Sequence, residues 1–504
     1  MLRRQTIGLF AGIAIFALVL VLPTPPGASP LAMRAAAVTL LMATWWITEA
    51  IHISATALVP LVLFPLLGVL DAGSTAENYG HNYVLMLLGG FFIAKAFELH
   101  HLHRRIALMI VKLLGTSRSR IILSFMIATA MLSMWIANVA VTLLMLPIGA
   151  AIIAREQDSG ADAESSKFGL ALMLAIAYAA SVGGTGTLIG TPPNMVFAGM
   201  IKSLYPTAPE ISFFQWMLVG IPLVILLLPV TWFYIVKFYR IRGSFSGSKE
   251  IIDQQLQALG PITPAEKRVF FIFVLTGLGW IFRNDIRFDH FVIPGWASLF
   301  GISEFVHDST VALTATMLLF LTPTGAKKQP DRKVMTHLLD WKSAESVPWG
   351  VVLIVGGGYA IAKAFDATGL AAWIGQSVAF VGTLPIFLTM LSVVFFITFL
   401  TEINSNTATA NIFLPILATM AVASQAHPFL LMFPGTVACS CAFMLPSGTG
   451  TNAVIFGSGR VTIPEMARCG FLMNFISIAI VTLVLYLLAI PVFGITDGVP
   501  NWAR

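Results

Sequence analysis

Four short polar runs interrupt an otherwise apolar chain, and their residue types set the chemistry open to it. Two lie within long apolar stretches, at Ser133-Met134-Trp135-Ile136-Ala137-Asn138-Val139-Ala140-Val141-Thr142 and at Thr401-Glu402-Ile403-Asn404-Ser405-Asn406-Thr407-Ala408-Thr409-Ala410-Asn411. The others are Ser181–Thr187 with Gly190-Thr191-Pro192-Pro193-Asn194, and Pro446-Ser447-Gly448-Thr449-Gly450-Thr451-Asn452. They hold hydroxyls, carboxamides, glycines and prolines, with no cluster of acids or histidines and no nucleophile beside a base. Glycine and proline interrupt a helix and free its carbonyl and N–H groups. Freed carbonyls with Ser, Thr and Asn oxygens suit a hard monovalent cation such as Na+. Freed N–H groups at helix N-termini, with hydroxyls and amides beside them, suit a carboxylate or another anion. A dianion and cations can thus share one pocket without a fixed countercharge.

Such runs need elements to hold them, and composition says which kind. Of the 504 residues, 57% are hydrophobic and 10% charged, with a mean hydropathy of +0.88. A soluble domain carries roughly 25% charged residues, so a soluble enzyme, a disordered chain and a nucleic-acid binder are all excluded. The formal net charge of +6 is read loop by loop against a lipid bilayer. Cys439, Cys441 and Cys469 lie in or beside apolar stretches and are expected to be buried, without a redox or metal role.

A spanning helix needs roughly 20 mostly apolar residues. Spans are expected near 5–22, 32–50, 53–70, 82–98, 170–200, 214–236, 268–283, 309–323, 347–367, 428–456 and 470–493. Two further stretches, 121–153 and 385–423, are too long for one span and carry polar residues and a proline. Each is expected to be a re-entrant hairpin, whose irregular backbone must be buried in protein or line a cavity. Arg3 and Arg4, the basic residues between Arg104 and Arg120, those between Lys237 and Arg268, those between Lys327 and Lys342, and Arg460 with Arg468 then fall on one side. The opposite loops carry few (Arg34, Lys202, Arg283, Arg287, Arg504). The positive-inside pattern places the N-terminus in the cytoplasm and the C-terminus outside a plasma (inner) membrane. The N-terminal Arg-Arg and apolar run resemble a signal peptide, but the run is long for one, and removing it would invert the charge pattern downstream.

The polar runs are related to one another. Gly89-Gly90-Phe91-Phe92-Ile93-Ala94-Lys95-Ala96-Phe97-Glu98 returns as Gly357-Gly358-Tyr359-Ala360-Ile361-Ala362-Lys363-Ala364-Phe365-Asp366, an offset of 268. The same offset carries Asn138 onto Asn406 and Leu146-Pro147-Ile148 onto Leu414-Pro415-Ile416, and an offset of 258 carries Gly190–Asn194 onto Gly448–Asn452. The lost ten positions match the longer polar loop Arg155–Lys167. Each copy reads span, surface helix, hairpin, broken span, and an odd number of spans between copies inverts the second. Small polar residues also let membrane helices pack closely, but four runs paired by an inverted repeat mark a binding site at the repeat interface. The expected fold is an all-α membrane protein, an inverted-repeat transporter with about eleven spanning helices and two re-entrant hairpins. Its segments are scaffold helices 1–81, repeat 1 at 82–213, scaffold helices and cytoplasmic loops 214–346, repeat 2 at 347–456, and a last scaffold helix in 457–504, the two repeats forming the transport core.

Ser405-Asn406-Thr407, Gly190-Thr191-Pro192-Pro193-Asn194, Trp45-Trp46-Ile47-Thr48-Glu49-Ala50, Val347-Pro348-Trp349-Gly350 before Gly356-Gly357-Gly358, and Cys441-Ala442-Phe443-Met444-Leu445-Pro446 resemble the divalent anion:sodium symporter family, the INDY-type carriers of di- and tricarboxylates. The likeness runs over nearly the whole chain. It implies a homodimer, each copy a scaffold and a transport domain moving as an elevator, that carries a small di- or tricarboxylate anion with Na+ and is not an enzyme. By position it implies one sodium site from Ser133, Asn138 and the Gly190 backbone, and another from Thr401, Asn404, Asn406 and the Gly448 backbone. It implies substrate contacts from Asn138, Thr191, Pro192, Ser405, Asn406, Thr407 and Thr449.

The chain departs from the family pattern in three places. Ala137-Asn138-Val139 stands where Ser-Asn-Thr is usual, Thr449-Gly450-Thr451-Asn452 where Thr-Pro-Pro-Asn is usual, and His52 where proline is usual. Each missing hydroxyl weakens a cation or carboxylate contact by about 0.5–1.5 kcal/mol unless water, Thr142 or Thr451 substitutes. The departures keep open a sodium-independent dicarboxylate exchanger and a sulfate-like inorganic anion carrier. A channel or an intramembrane enzyme is further off, since apart from Glu402 no catalytic side chain faces a cavity. Lys95 with Glu98 and Lys363 with Asp366 are expected as i,i+3 ion pairs. Glu402 is expected as an acceptor for backbone donors, with proton coupling as the rival role. His100, His101 and His103 are expected as interfacial anchors, not metal ligands.

Overall fold

The computed structural model of the protein describes residues 2–113, 117–158, 163–243, 248–287, 291–325, 336–377, 385–496 and 498–503. Lys327, Lys328, Arg332, Lys333 and Arg504 of the charge pattern lie outside the described residues, as do positions 159–162 of the longer polar loop. Among the described residues nine helices are long and apolar enough to cross a membrane, with shorter apolar helices such as Asp308–Leu321 and Phe429–Cys439 beside them. The only strands described are two-residue pieces, Ile286–Arg287 against Val292–Ile293. Ile7, Phe10 and Leu18 on helix Leu2–Val21, and Phe270 and Phe271 on helix Pro264–Ile281, lie exposed, as an apolar surface facing lipid would.

Helix boundaries follow local chemistry. Pro264–Ile281 starts four residues ahead of the expected 268, because Thr263 caps it and Glu266 returns the bond in a capping box, with proline in the first turn. The expected 53–70 span is two short helices, Ile53–Thr56 and Val59–Leu66, the second opening with Pro60 in its first turn. Each long apolar stretch is a hairpin: Arg118–Ser133 turns into Asn138–Asp158, and Ile386–Thr401 turns into Asn406–Ala423. Each broken span is two half-helices: Ala163–Gly184 then Pro192–Leu204, and Phe429–Cys439 then Gly450–Gly457.

The offsets of the sequence reappear in the bonding. Asn194 Nδ2 donates to the Gly184 and Thr187 carbonyls at 3.0 and 2.8 Å. Asn452 Nδ2 donates to the Ala442 and Leu445 carbonyls at 3.2 and 3.1 Å, and 258 positions separate every corresponding residue. Ser133 Oγ bridges Asn138 Oδ1 at 2.7 Å and the Ala180 carbonyl at 2.8 Å with its one hydroxyl. Thr401 Oγ1, 268 positions on, donates to the Cys439 carbonyl at 2.9 Å and lies 3.0 Å from the Asn406 carboxamide. The junctions between span and surface helix match as well. His101 (φ 55°) precedes Leu102–Leu113, and Gly369 (φ 74°), 268 positions later, precedes Leu370–Ser377. Both turn the chain through the left-handed region, which glycine tolerates and other residues adopt at a cost.

Helices of one copy lie against those of the other: Pro192–Leu204 packs on Asn406–Ala423, and Gly450–Gly457 packs on Asn138–Asp158. On the basic side, Arg105 pins the surface helix Leu102–Leu113 to Pro264–Ile281 through a buried pair with Glu266 (2.6 Å) and a bond to the Gly260 carbonyl (3.0 Å). His100 Nε2 and His103 Nδ1 bond the Leu338 and Phe97 carbonyls at 2.8 and 2.9 Å, and burial holds both rings below the usual histidine pKa. At the opposite end Arg283, 1% exposed, is paired with Asp308 at 2.7 Å and with Glu210. That pair joins the loop after Pro192–Leu204 to helix Asp308–Leu321, a role the charge count did not suggest.

One feature breaks the symmetry. Glu402, 3% exposed, accepts from Phe443 N (2.7 Å), Met444 N (2.9 Å) and Asn474 Nδ2 (2.8 Å) on Oε1 and from Leu445 N (3.0 Å) on Oε2. Its counterpart is Met134, and the equivalent N–H groups of Thr185 and Gly186 close their own turns onto Val182 and Gly183. A carboxylate therefore stands in for a turn of helix, as the structural reading of Glu402 anticipates.

Three stability outcomes are expected. Glu402→Gln turns an amide N–H2 toward buried donors and costs roughly 2–3 kcal/mol; thermal unfolding in detergent should show a clear drop in Tm, and an unchanged Tm would remove Glu402 from this role. Gly369→Ala meets no atom within 4 Å, so its expected loss of about 1 kcal/mol is conformational alone. His101→Gly should move Tm the other way.

Candidate functional site

The two hairpin turns and the two helix breaks meet at a cavity of about 290 Å3. Four helices begin on its wall, at Asn138, Pro192, Asn406 and Gly450, and all four residues line it. A helix N-terminus carries about half a positive charge and unpaired N–H groups. None of the lining residues is ionisable, so the positive potential comes from backbone. Side-chain donors stand beside it: Asn138, Thr191, Ser405, Asn406, Thr407 and Thr449. Among the described residues Ser405, Thr407 and Thr191 make no side-chain hydrogen bond to another protein group.

All seven residues expected to contact substrate, Asn138, Thr191, Pro192, Ser405, Asn406, Thr407 and Thr449, line this cavity. Of those expected around cations, Gly448 lines it too, whereas Ser133 and Thr401 lie buried behind Asn138 and Asn406. Gly190 closes a turn, its N–H donating to the Thr187 carbonyl at 3.3 Å. Asn404 turns its side-chain oxygen onto Ser405 N at 2.9 Å, so it stabilises the hairpin turn. Thr142 bonds back to the Asn138 carbonyl at 2.8 Å, and Thr451 faces Ser181 (3.2 Å) and Thr449 (3.4 Å). Neither replaces the hydroxyls absent at Ala137 and Val139.

Behind the cavity the helix C-termini gather oxygens. One end of the Asn406 carboxamide lies 2.9 Å from the Gly448 carbonyl, 2.9 Å from the Cys439 carbonyl and 3.0 Å from Thr401 Oγ1. As the amide nitrogen, that end donates to these acceptors. As the oxygen, it completes a set of four oxygens with no nitrogen or sulfur among them, the donor type a hard monovalent cation takes. The first copy offers Asn138 Oδ1, Ser133 Oγ and the Ala180 carbonyl in a chain of bonds of 2.7 and 2.8 Å. Asn138 and Asn406 thus stand between the oxygen groups and the cavity.

Sequence reasoning did not single out the apolar part of the wall. Phe91, Pro348 and Val351 line the cavity, although Phe91 sits in the repeated Gly-Gly-aromatic motif and Pro348 in Val347-Pro348-Trp349-Gly350. Phe91, Ala137, Val139 and Pro348 also line a second chamber of about 500 Å3, which Lys95, Glu98 and His103 border. Lys95 and Glu98 are paired there at 3.0 Å. These four apolar residues form the neck between the two spaces.

Comparison with known proteins agrees with this architecture. Residues 3–495 match the family model described as the sodium:sulfate symporter transmembrane region. A curated relative from Staphylococcus saprophyticus, named sodium-dependent dicarboxylate transporter SdcS, is 43% identical over 497 residues, covering 97% of this chain and 92% of its own. Its namesake in Staphylococcus aureus is 42% identical over 502 residues, covering 98% and 93%. The solved structure of Neisseria gonorrhoeae MtrF, from a class described as antimetabolite efflux pumps, superposes with a TM-score of 0.58 over 98% of this chain and 97% of that one at 13% identity, a likeness of fold alone. With a family model spanning nearly its full length and relatives above 40% identity, the chain belongs to the divalent anion:sodium symporter family, and it is a multi-pass membrane transporter, not an enzyme.

Proposed function

We propose that the protein moves small dianionic carboxylates, C4-dicarboxylate or citrate-like, across the plasma membrane together with Na+ by alternating access. The observation that carries this reading is the set of four helix N-termini around a cavity free of ionisable groups, with oxygen clusters directly behind it. The names of the staphylococcal relatives point the same way. A dianion is drawn by the converging dipoles and the unspent hydroxyls, and the cations sit at the C-terminal ends behind Asn138 and Asn406.

The positive-inside pattern sets the N-terminus in the cytoplasm and the C-terminus outside. On that orientation the larger chamber leads to the cytoplasm, and substrate leaves through the neck of Phe91, Ala137, Val139 and Pro348. The hairpins and broken spans form the moving part of an elevator. The surface helix Leu102–Leu113, fixed by Arg105 to Glu266, stays with the scaffold, and His101 and Gly369 mark where the moving spans join the static helices. A homodimer gives the scaffold its fixed partner. A sodium-independent exchanger is the second reading, motivated by Ala137 and Val139.

Uptake of labelled succinate into proteoliposomes, with and without an inward Na+ gradient, tests the proposal. Asn138→Ala and Asn406→Ala should each abolish uptake while the protein still inserts and runs as a single species on size exclusion; near-normal uptake by either removes the site. Thr401→Ala deletes one oxygen from the second cluster and should raise the Na+ concentration for half-maximal uptake roughly three- to ten-fold. A succinate flux indifferent to Na+ in the unaltered protein would favour the exchanger.

A further inference from the structure

The two halves of the cavity are unequal, and the inequality is built from positions that correspond in the repeat. Ser405, Asn406 and Thr407 on the second hairpin answer to Ala137, Asn138 and Val139 on the first, 268 positions earlier, and all six line the cavity. On the second hairpin Ser405, Asn406 and Thr407 offer two hydroxyls and a carboxamide. On the first hairpin Asn138 offers a carboxamide between the methyl groups of Ala137 and Val139, and the hydroxyls of Thr191 and Thr449 stand at the two helix starts between the hairpins.

The apolar half is fitted to its surroundings. A Cβ placed on Gly450 would lie 2.5 Å from Val139 Cγ2, far inside contact distance, so the side chain of Val139 fills the space that any larger residue at position 450 would need. Two departures from the family pattern, on separate repeats, therefore meet in one contact. Thr451, beside Gly450, is drawn away from the cavity by Ser181 at 3.2 Å. Val139 cannot borrow a hydroxyl from its neighbour, and Ala137 next to it carries none.

Resting on the dicarboxylate reading above, we infer that Ala137 and Val139, held against Gly450, form a specificity wall that refuses a hydroxyl on the substrate carbon beside the first-hairpin carboxylate. A diacid without hydroxyls fits in either direction. A monohydroxy diacid fits in one direction only, its hydroxyl turned to Ser405 and Thr407. A 2,3-dihydroxy diacid must bury one hydroxyl against methyl groups in every pose, and sulfate, with acceptors on all sides, leaves half of its oxygens without donors. An unpartnered hydroxyl in an apolar pocket changes discrimination by about a hundred-fold.

The test compares labelled succinate, malate, tartrate and sulfate in proteoliposomes under a Na+ gradient. In the unaltered protein kcat/KM for tartrate is expected about a hundred-fold below that for succinate, with malate between them and sulfate not transported. Ala137→Ser with Val139→Thr, which nearly preserves volume, should raise tartrate relative to succinate by ten-fold or more. Thr407→Val should drive malate down toward tartrate while succinate falls less. Tartrate carried as well as succinate by the unaltered protein, or a succinate-to-tartrate ratio unmoved in a well-folded double variant, overturns the wall. Absence of succinate uptake altogether, in protein that is folded, would instead overturn the dicarboxylate reading.

Discussion

A helix that stops inside an apolar bundle leaves its last carbonyls and first N–H groups away from water, and in a bilayer each orphan costs several kcal/mol. Eight such ends meet here, four N-terminal at Asn138, Pro192, Asn406 and Gly450 and four C-terminal at Ser133, Gly184, Thr401 and Cys439. Most of the buried polar residues around the cavity answer that demand. Asn194 and Asn452 bridge the carbonyls on either side of their breaks, Ser133 and Thr401 tie each hairpin to its broken span, and Glu402 collects the N–H groups that the wider second break exposes. The demand also sorts the residues by task. Side chains spent on backbone lie behind the cavity, and Ser405 and Thr407, which line it, make no side-chain hydrogen bond among the described residues.

The same constraint explains where the two copies differ. Gly184 and Thr187 belong to a break in which helix Ala163–Gly184 runs on until its last residues close their own turns. In the second copy the helix ends at Cys439, about one turn earlier, and three consecutive N–H groups are left open. A neutral residue such as Met134 suffices at the first hairpin. At the second, an acceptor with two oxygens is needed, and it draws Asn474 from the last long helix into the same network. The acid that looked most like a coupling group is therefore consumed by the backbone.

Much of this architecture was legible in the sequence, for physical reasons. Spans of apolar residues and the offset of 268 rest on patterns that survive without any knowledge of contacts. The seven proposed substrate residues line one cavity because Gly, Pro and Asn at a break leave the chain little else to do there. Contacts across the repeats were not legible. Nothing in the spacing of Val139 and Gly450, more than three hundred positions apart, announces that they touch, and Arg283 counts as a loop charge until Asp308 and Glu210 surround it. Asn404 reads as a ligand by its neighbours, and the bond its oxygen accepts from the next N–H is a local one that spacing cannot reveal. Composition could place the polar half of the wall but not the apolar half, since Phe91 and Pro348 look like any other membrane-helix residues.

Under the proposed function, coupling of anion to cation needs no moving charge, because a carboxamide has two unlike ends. One end of Asn406 faces the Gly448 carbonyl, the Cys439 carbonyl and Thr401 Oγ1, and Asn406 also lines the cavity. With nitrogen toward those oxygens the amide satisfies them by itself, and its own oxygen, turned to the cavity, repels a carboxylate. With oxygen toward them it joins a cation site, and its N–H2 becomes a donor for the anion. A cation behind and a carboxylate in front therefore favour the same orientation, so each raises the affinity of the other by the same factor. Asn138 holds the corresponding place at the first hairpin, its oxygen engaged by Ser133. There the linkage is the same in kind but supported by fewer donors on the anion side, so in the proposed cycle the second hairpin holds the carboxylate more tightly and the first, beside the neck, is where the substrate lets go.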